Sequence, residues 1–134
     1  MSARDLTETK EYHLIYAELI HAARHRGTVT YQEVAELIGI QTYGSYMGHE
    51  IGAYAGVISM NEVRHGRPML SAILVRVDGV PSGGFFDLAR QLGRLNSDDE
   101  AHQQAFLAAE TQAVYHTWKR TFDLPPHQRQ HAQP

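Results

Sequence analysis

Along the chain, Tyr12, Ile15, Tyr16, Leu19, Ala22 and Ala23 recur at steps of three and four residues. This is the spacing of one apolar helix face, and Gly27 ends it, so the pattern predicts a first helix within 5–26. The next segment, Gly27-Thr28-Val29-Thr30, is short and β-branched. Thr30 and Glu33 then supply a Thr-x-x-Glu capping box, which opens a second helix over 31–38 that stops at Gly39. A third helix is predicted over 45–63, with Met47, Ile51, Tyr54, Ala55, Ile58 and Val63 facing inward, and Gly66 and Pro68 forbid its continuation.

The pattern changes at 69–77, where MLSAILVRV is aliphatic and β-branched and Asp78-Gly79 signals a hairpin turn. The return strand has to be short, because Pro81-Ser82-Gly83-Gly84 follows at once. Helical period resumes over 85–95, and Ser97 with Glu100 repeats the capping box before a long helix over 98–122. Leu124-Pro125-Pro126 ends that helix. The expectation is one domain over 1–124 with a tail over 125–134, mostly α with a small β-hairpin and a long C-terminal helix.

Composition supports one packed core: of 134 residues 43% are hydrophobic and 20% charged. No apolar run approaches the ~18 residues that cross a bilayer, and MSARDLTETKEYH lacks the basic-then-apolar order of a secretion signal. A cytoplasmic protein without membrane contact is expected. The absence of cysteine excludes disulfides, thiolate metal sites and a cysteine nucleophile. The formal net charge is -3, yet residues 64–94 carry five arginines against two aspartates. Local charge, not the total, sets the field at a groove.

Gly44, Gly48, Gly52 and Gly56 stand at four-residue intervals through the third helix and form a stripe without side chains. Interior glycines cost roughly 0.5–1 kcal/mol each relative to alanine, so something has to compensate. Either a neighbouring element crosses closely there, or the backbone of a partner approaches. Arg64, Arg67, Arg76, Arg90 and Arg94 match phosphate oxygens by their forked donors, or else pair with Glu33, Glu36, Glu50 and Glu62. The loop 79–86, GVPSGGFF, meets a helix start, where free amides favour an anion; its other reading is a tight connection with the phenylalanines in the core.

His21 and His25 share a helix face at i,i+4, but no further ligand spacing completes a metal site, and no cofactor motif is present. Glu50, Glu62, His65 and Asp78 are candidates for acid/base or divalent-cation chemistry, which would make the protein a nuclease or other hydrolase. A third reading makes the stripe, or the long helix with Phe106, Val114 and Trp118, an interface between copies of the chain.

Read in order, Gly27-Thr28-Val29-Thr30-Tyr31-Gln32-Glu33-Val34-Ala35 followed by Gly39 resembles the Gly-x-Val-x-Thr-Tyr segment in the DNA-binding domain of O6-alkylguanine-DNA alkyltransferases and their alkyltransferase-like relatives. Met47-Gly48-His49-Glu50-Ile51-Gly52 is similar to their small-residue recognition helix, and Asn61 to the asparagine that follows it. Where that family has Pro-Cys-His-Arg, this chain has Pro68-Met69-Leu70-Ser71, so alkyl transfer is excluded. The likeness spans Tyr12 to Phe86. Segments from Gly66 to Ala72 and from Gly83 to Phe86 are also similar to small bacterial proteins without an assigned activity.

The resemblance implies a winged-helix-like core and non-catalytic binding of DNA. The residues then expected at the nucleic acid are Tyr31, Gly48, Gly52 and Ser71, with Arg64, Arg67 and Arg76 reaching phosphates from the wing side.

Overall fold

The computed structural model describes residues 5–121. A 3-10 turn, Leu6–Glu8, leads into α1, Lys10–Arg24. The Thr9 hydroxyl caps α1 by accepting from the Tyr12 amide, and the first predicted helix therefore begins later than its periodicity suggests. β1, Val29–Thr30, runs directly into α2, Tyr31–Ile38. The Thr30–Glu33 capping box is formed in both directions, and Gly39 closes α2 at φ +78°, a left-handed conformation that glycine adopts without strain. α3 spans Gly44–Arg64, within one residue of the predicted bounds.

The architecture is mostly helical with a small β element, as the pattern implies, but the β element is of another kind. Residues Leu70–Ile73 form a 3-10 turn, and only Leu74–Val75 are strand, β2. β2 pairs in parallel with β1, Val29 against Leu74 and Thr30 against Val75, so the predicted hairpin ladder is absent. The reason lies in burial: residues 69–75 are enclosed on all sides, and a run with no exposed alternate positions belongs inside, not in a half-solvated wing. The Asp78-Gly79 turn does form, with the Arg76 amide donating to the Val80 carbonyl at 2.9 Å. Pro81 lacks a backbone donor and the next helix begins at Gly83, so no return strand extends from the turn.

α4, Gly83–Gln91, and α5, Glu100–Trp118, complete the chain. Asp99, not Ser97, caps α5 by accepting from the His102 amide, while Ser97 accepts from the Asp99 amide one step earlier. α5 ends at Trp118, short of the expected 122, while Leu124-Pro125-Pro126 and the tail 125–134 lie outside the described residues.

The buried 3-10 turn is the hub of the packing, touching α1, α3 and α5. Ile15 and Leu19 of α1, Ile51 and Ile58 of α3, and Met69, Leu70, Ile73 and Leu74 are fully enclosed around it. α5 is tied to this hub by Glu110, which accepts a bidentate fork from Arg94 at 2.9 and 2.7 Å and the Met69 amide at 2.9 Å. Among the described residues no helix is long and apolar enough to cross a membrane.

Candidate nucleic-acid interface

Helix α3 turns Met47, Ile51, Tyr54, Ala55, Ile58, Ser59 and Glu62 into the core. Its outer row carries Tyr46, His49 and Ala53, with Tyr43 at the N-cap; the two tyrosines are 54% and 69% exposed. Between these rows lie Gly48, Gly52 and Gly56, half-buried.

The stripe is not a close crossing. A Cβ at Gly48 or Gly52 would meet nothing within 4 Å, and one at Gly56 would just touch the Leu88 side chain at 4.0 Å. Gly44 has a separate role: at φ +88° it starts the helix in a conformation that a side chain would strain. The other three glycines line a cavity of about 460 Å³ between α3 and α4. Phe85 and Leu88 of α4 line it too, together with the hydroxyl residues Tyr31, Ser71 and Ser82. Sequence positions 31, 48, 71 and 82 are thereby brought to one place.

Ser71 is only 5% exposed and is held by Ser59, with the two hydroxyl oxygens 2.7 Å apart and the Ser71 amide donating to Ser59 at 3.0 Å. The partner of the Ser71 hydroxyl is thus a second hydroxyl and not a base, so this serine lacks the activation that nucleophilic chemistry needs. Tyr31 and Ser82 join across the cavity wall at 3.1 Å. Ser82 stands at the N-cap of α4 without capping it, because its hydroxyl is turned to Tyr31. On the far side of this contact a second cavity, of about 640 Å³, opens between the start of α2, the start of α3 and Arg76–Val77. Val77 at its edge is 83% exposed.

The arginines do not share a face. Arg76 lies at the second cavity and pairs with Asp78 at 2.7 Å, both half exposed. Arg67 instead grips the fully buried Glu62 through three contacts of 2.8–3.0 Å, and its guanidinium lies 5.5 Å from the Trp118 ring centroid. Glu62 pushes the Arg67 guanidinium further above its ordinary range. Tyr16 also donates to Glu62 and accepts from Asn61; burial first, and then the Glu62 contact, pushes its hydroxyl up to about 12. Arg90 pairs with Asp87 at 2.5 Å, and Arg94 serves Glu110. Arg64 is exposed on the last turn of α3, away from both cavities.

Of the expected partners of these arginines, Glu62 is one; Glu33 serves the α2 cap instead. The set Glu50, Glu62, His65 and Asp78 is not gathered into a centre. Glu62 is committed to Arg67 and Tyr16, His65 to the Asn61 carbonyl at 2.8 Å, and Asp78 to Arg76. His21 and His25 stack at 4.5 Å, but among the described residues no three histidine, aspartate or glutamate side chains form a metal site.

Gln32 and Ser82 belong to the cavities and were not among the residues expected at the nucleic acid. The GVPSGGFF loop was the signal for Ser82, whereas Gln32 carried none beyond its place next to Tyr31. Against known proteins, the chain matches no family model, no curated protein and no solved structure.

Proposed function

We propose that the protein is a cytoplasmic, non-catalytic DNA-binding protein of the alkyltransferase-like, winged-helix type. The observation that carries this reading is the open cavity beside the exposed start of α3. Helix α2, a short connection and then helix α3 follow the order of a helix–turn–helix, in which the second helix meets the nucleic acid. Tyr43, Tyr46 and His49 stand free on that helix, and Arg76 flanks it on the Asp78-Gly79 loop in the place of a wing. Backbone without side chains at Gly48 and Gly52 lets a partner come close.

The first cavity lies within the range of about 300–1,000 Å³ typical of small-molecule sites. It accepts a base turned out of the duplex, with Phe85 beside it, and such a base is least costly to extrude where it is mismatched. The Ser71 hydroxyl is engaged with Ser59 and is not set against that base as an activated nucleophile. The reading is of binding without turnover.

The test is a titration of the protein against two labelled duplexes, one matched and one with a single central mismatch, at low and physiological salt, with and without magnesium. The expected result is salt-sensitive binding without cleavage, tighter for the mismatch. Gly52→Leu puts a side chain into the open cavity and is expected to erase the preference for the mismatch while the protein stays folded by circular dichroism. Equal affinity of Gly52→Leu and wild type for the mismatched duplex would overturn the cavity's role. Cleavage that depends on magnesium would overturn the non-catalytic assignment.

A further inference from the structure

The end of α1 carries two histidines that the DNA-binding reading does not use. His21 and His25 stand four residues apart on one side of the helix, both exposed, with their ring centroids 4.5 Å apart. The last turn tightens here. The His25 amide donates to the Ala22 carbonyl at 3.1 Å, and the His21 carbonyl takes the His25 ring instead, with Nδ1 and the oxygen 2.9 Å apart.

A carbonyl oxygen only accepts, so Nδ1 carries the proton in this bond and the neutral ring keeps its lone pair on Nε2. Metal-ligating histidines are held in the same way, the second nitrogen donating to a backbone carbonyl that fixes tautomer and orientation. Two imidazoles that share one ion through bonds of roughly 2.0–2.1 Å bring their ring centroids to about 4.5–5 Å, which is the spacing found here. The carbonyl end of a helix also favours positive charge. Glu18 lies one turn before His21 on the same side, and the cations next to the pair in sequence, Arg24 and Arg26, are exposed to solvent that screens them.

We propose that His21 and His25 form a binding site for a late first-row divalent metal ion, zinc in the first instance. Imidazole suits zinc, copper and nickel, whereas magnesium and calcium take oxygen donors. Two protein ligands are fewer than a structural or catalytic zinc site holds, so the ion exchanges readily and keeps positions for water or for a donor from another molecule. This site is independent of the DNA-binding reading.

The experiment titrates the full chain, stripped of metal with a chelator, with zinc chloride and separately with magnesium chloride by calorimetry. His21→Gln, His25→Gln and His13→Gln are measured beside it. His21→Gln is the cleaner of the pair variants, because the cap at the end of α1 uses the backbone carbonyl of residue 21, which the substitution keeps. His13, exposed in the first half of α1, is the control.

Zinc affinity is expected to fall at least about tenfold in either pair variant, since an outer partner alone is worth about 10–100-fold in metal affinity. It should stay within about twofold in His13→Gln, and magnesium should not bind. Zinc should raise the thermal midpoint of the wild type and not that of His21→Gln, because an ion held only by the folded chain stabilises it. Equal zinc affinity of wild type and His21→Gln would place the ion on other histidines and overturn the proposal. So would a loss below about threefold in each pair variant, the mark of two rings acting separately, or the absence of zinc binding to the wild type.

Discussion

At its C-terminal end α3 carries Glu62, fully enclosed and met by the Arg67 fork and the Tyr16 hydroxyl, with Trp118 of α5 against the guanidinium. About 15–20 Å back along the same helix it carries Gly52 and Gly48, where an added Cβ would meet nothing within 4 Å, beside two cavities and the unsatisfied carbonyl of Gln32. One end has its buried charge matched within the chain, with the Trp118 indole nitrogen left without an acceptor. The other leaves backbone, aromatic side chains and an acceptor uncommitted. The first end is closed by its own ion pair and the second is open, and charge alone does not distinguish them: Arg67, in a basic stretch of sequence, belongs to the closed end.

The comparison breaks most directly at Arg67. Arg67→Ala leaves the buried Glu62 carboxylate without its cation, and the expected loss of stability is about 3 kcal/mol, read from urea denaturation. DNA affinity of the folded variant should stay within twofold of wild type. A large loss of affinity with little loss of stability would reverse the assignment and return Arg67 to the phosphates.

The glycines sharpen the contrast within one helix. Gly44→Ala forces a side chain into a left-handed conformation and should cost about 1 kcal/mol or more. Gly52→Ala adds a methyl group in open space on a helix and should stabilise by about 0.5–1 kcal/mol. Thermal melts of the two variants are expected to move in opposite directions. If both fall, the open stripe is occupied by packing.

The smallest effect is a pH dependence at the closed end. Tyr16 titrates near 10 in the unfolded chain and at about 12 in the folded one. Its contribution is therefore fully present below pH 10 and is lost as pH rises from 10 through 12. Tyr12 and Tyr115, both raised chiefly by burial, act in the same direction. Tyr16→Phe should flatten part of this fall in denaturation series at pH 9, 10 and 11. An unchanged slope would disconnect Tyr16 from the Glu62 network.

Local signals carried much of the fold. The capping box at Thr30 and Glu33, the stop at Gly39 and the three-and-four spacing of Met47, Ile51, Tyr54 and Ile58 all act within one or two turns of chain, and the helices form where they indicate. The segment 69–77 was misleading for the same reason. Its aliphatic run fits an exposed hairpin strand and a buried turn equally well, and the choice depends on α1, α3 and α5 closing over it. Ser97 with Glu100 satisfied a capping pattern, yet Asp99 competes for the same helix start and takes it.

The candidate site was legible in pieces. Tyr31, Gly48, Gly52 and Ser71 stood out by motif, and the structure places them around one cavity; Arg76 joins the neighbouring one. Arg64 and Arg67 stood out by charge alone and lie elsewhere. Charge on a residue says nothing of its partner, which for Arg67 is five positions back on another element.

The residues alone determined the helical character, the ends of α2, the place of α3 and the impossibility of thiol chemistry, because each depends on neighbours within a few positions or on composition. Only tertiary packing decided that two strands pair in parallel, that the glycine stripe faces open space and that Gln32 is enclosed without a donor. Each of these requires residues forty or more positions apart to arrive at one point, Val29 against Leu74 or Tyr31 against Ser82, and that meeting is set by the burial of the whole core.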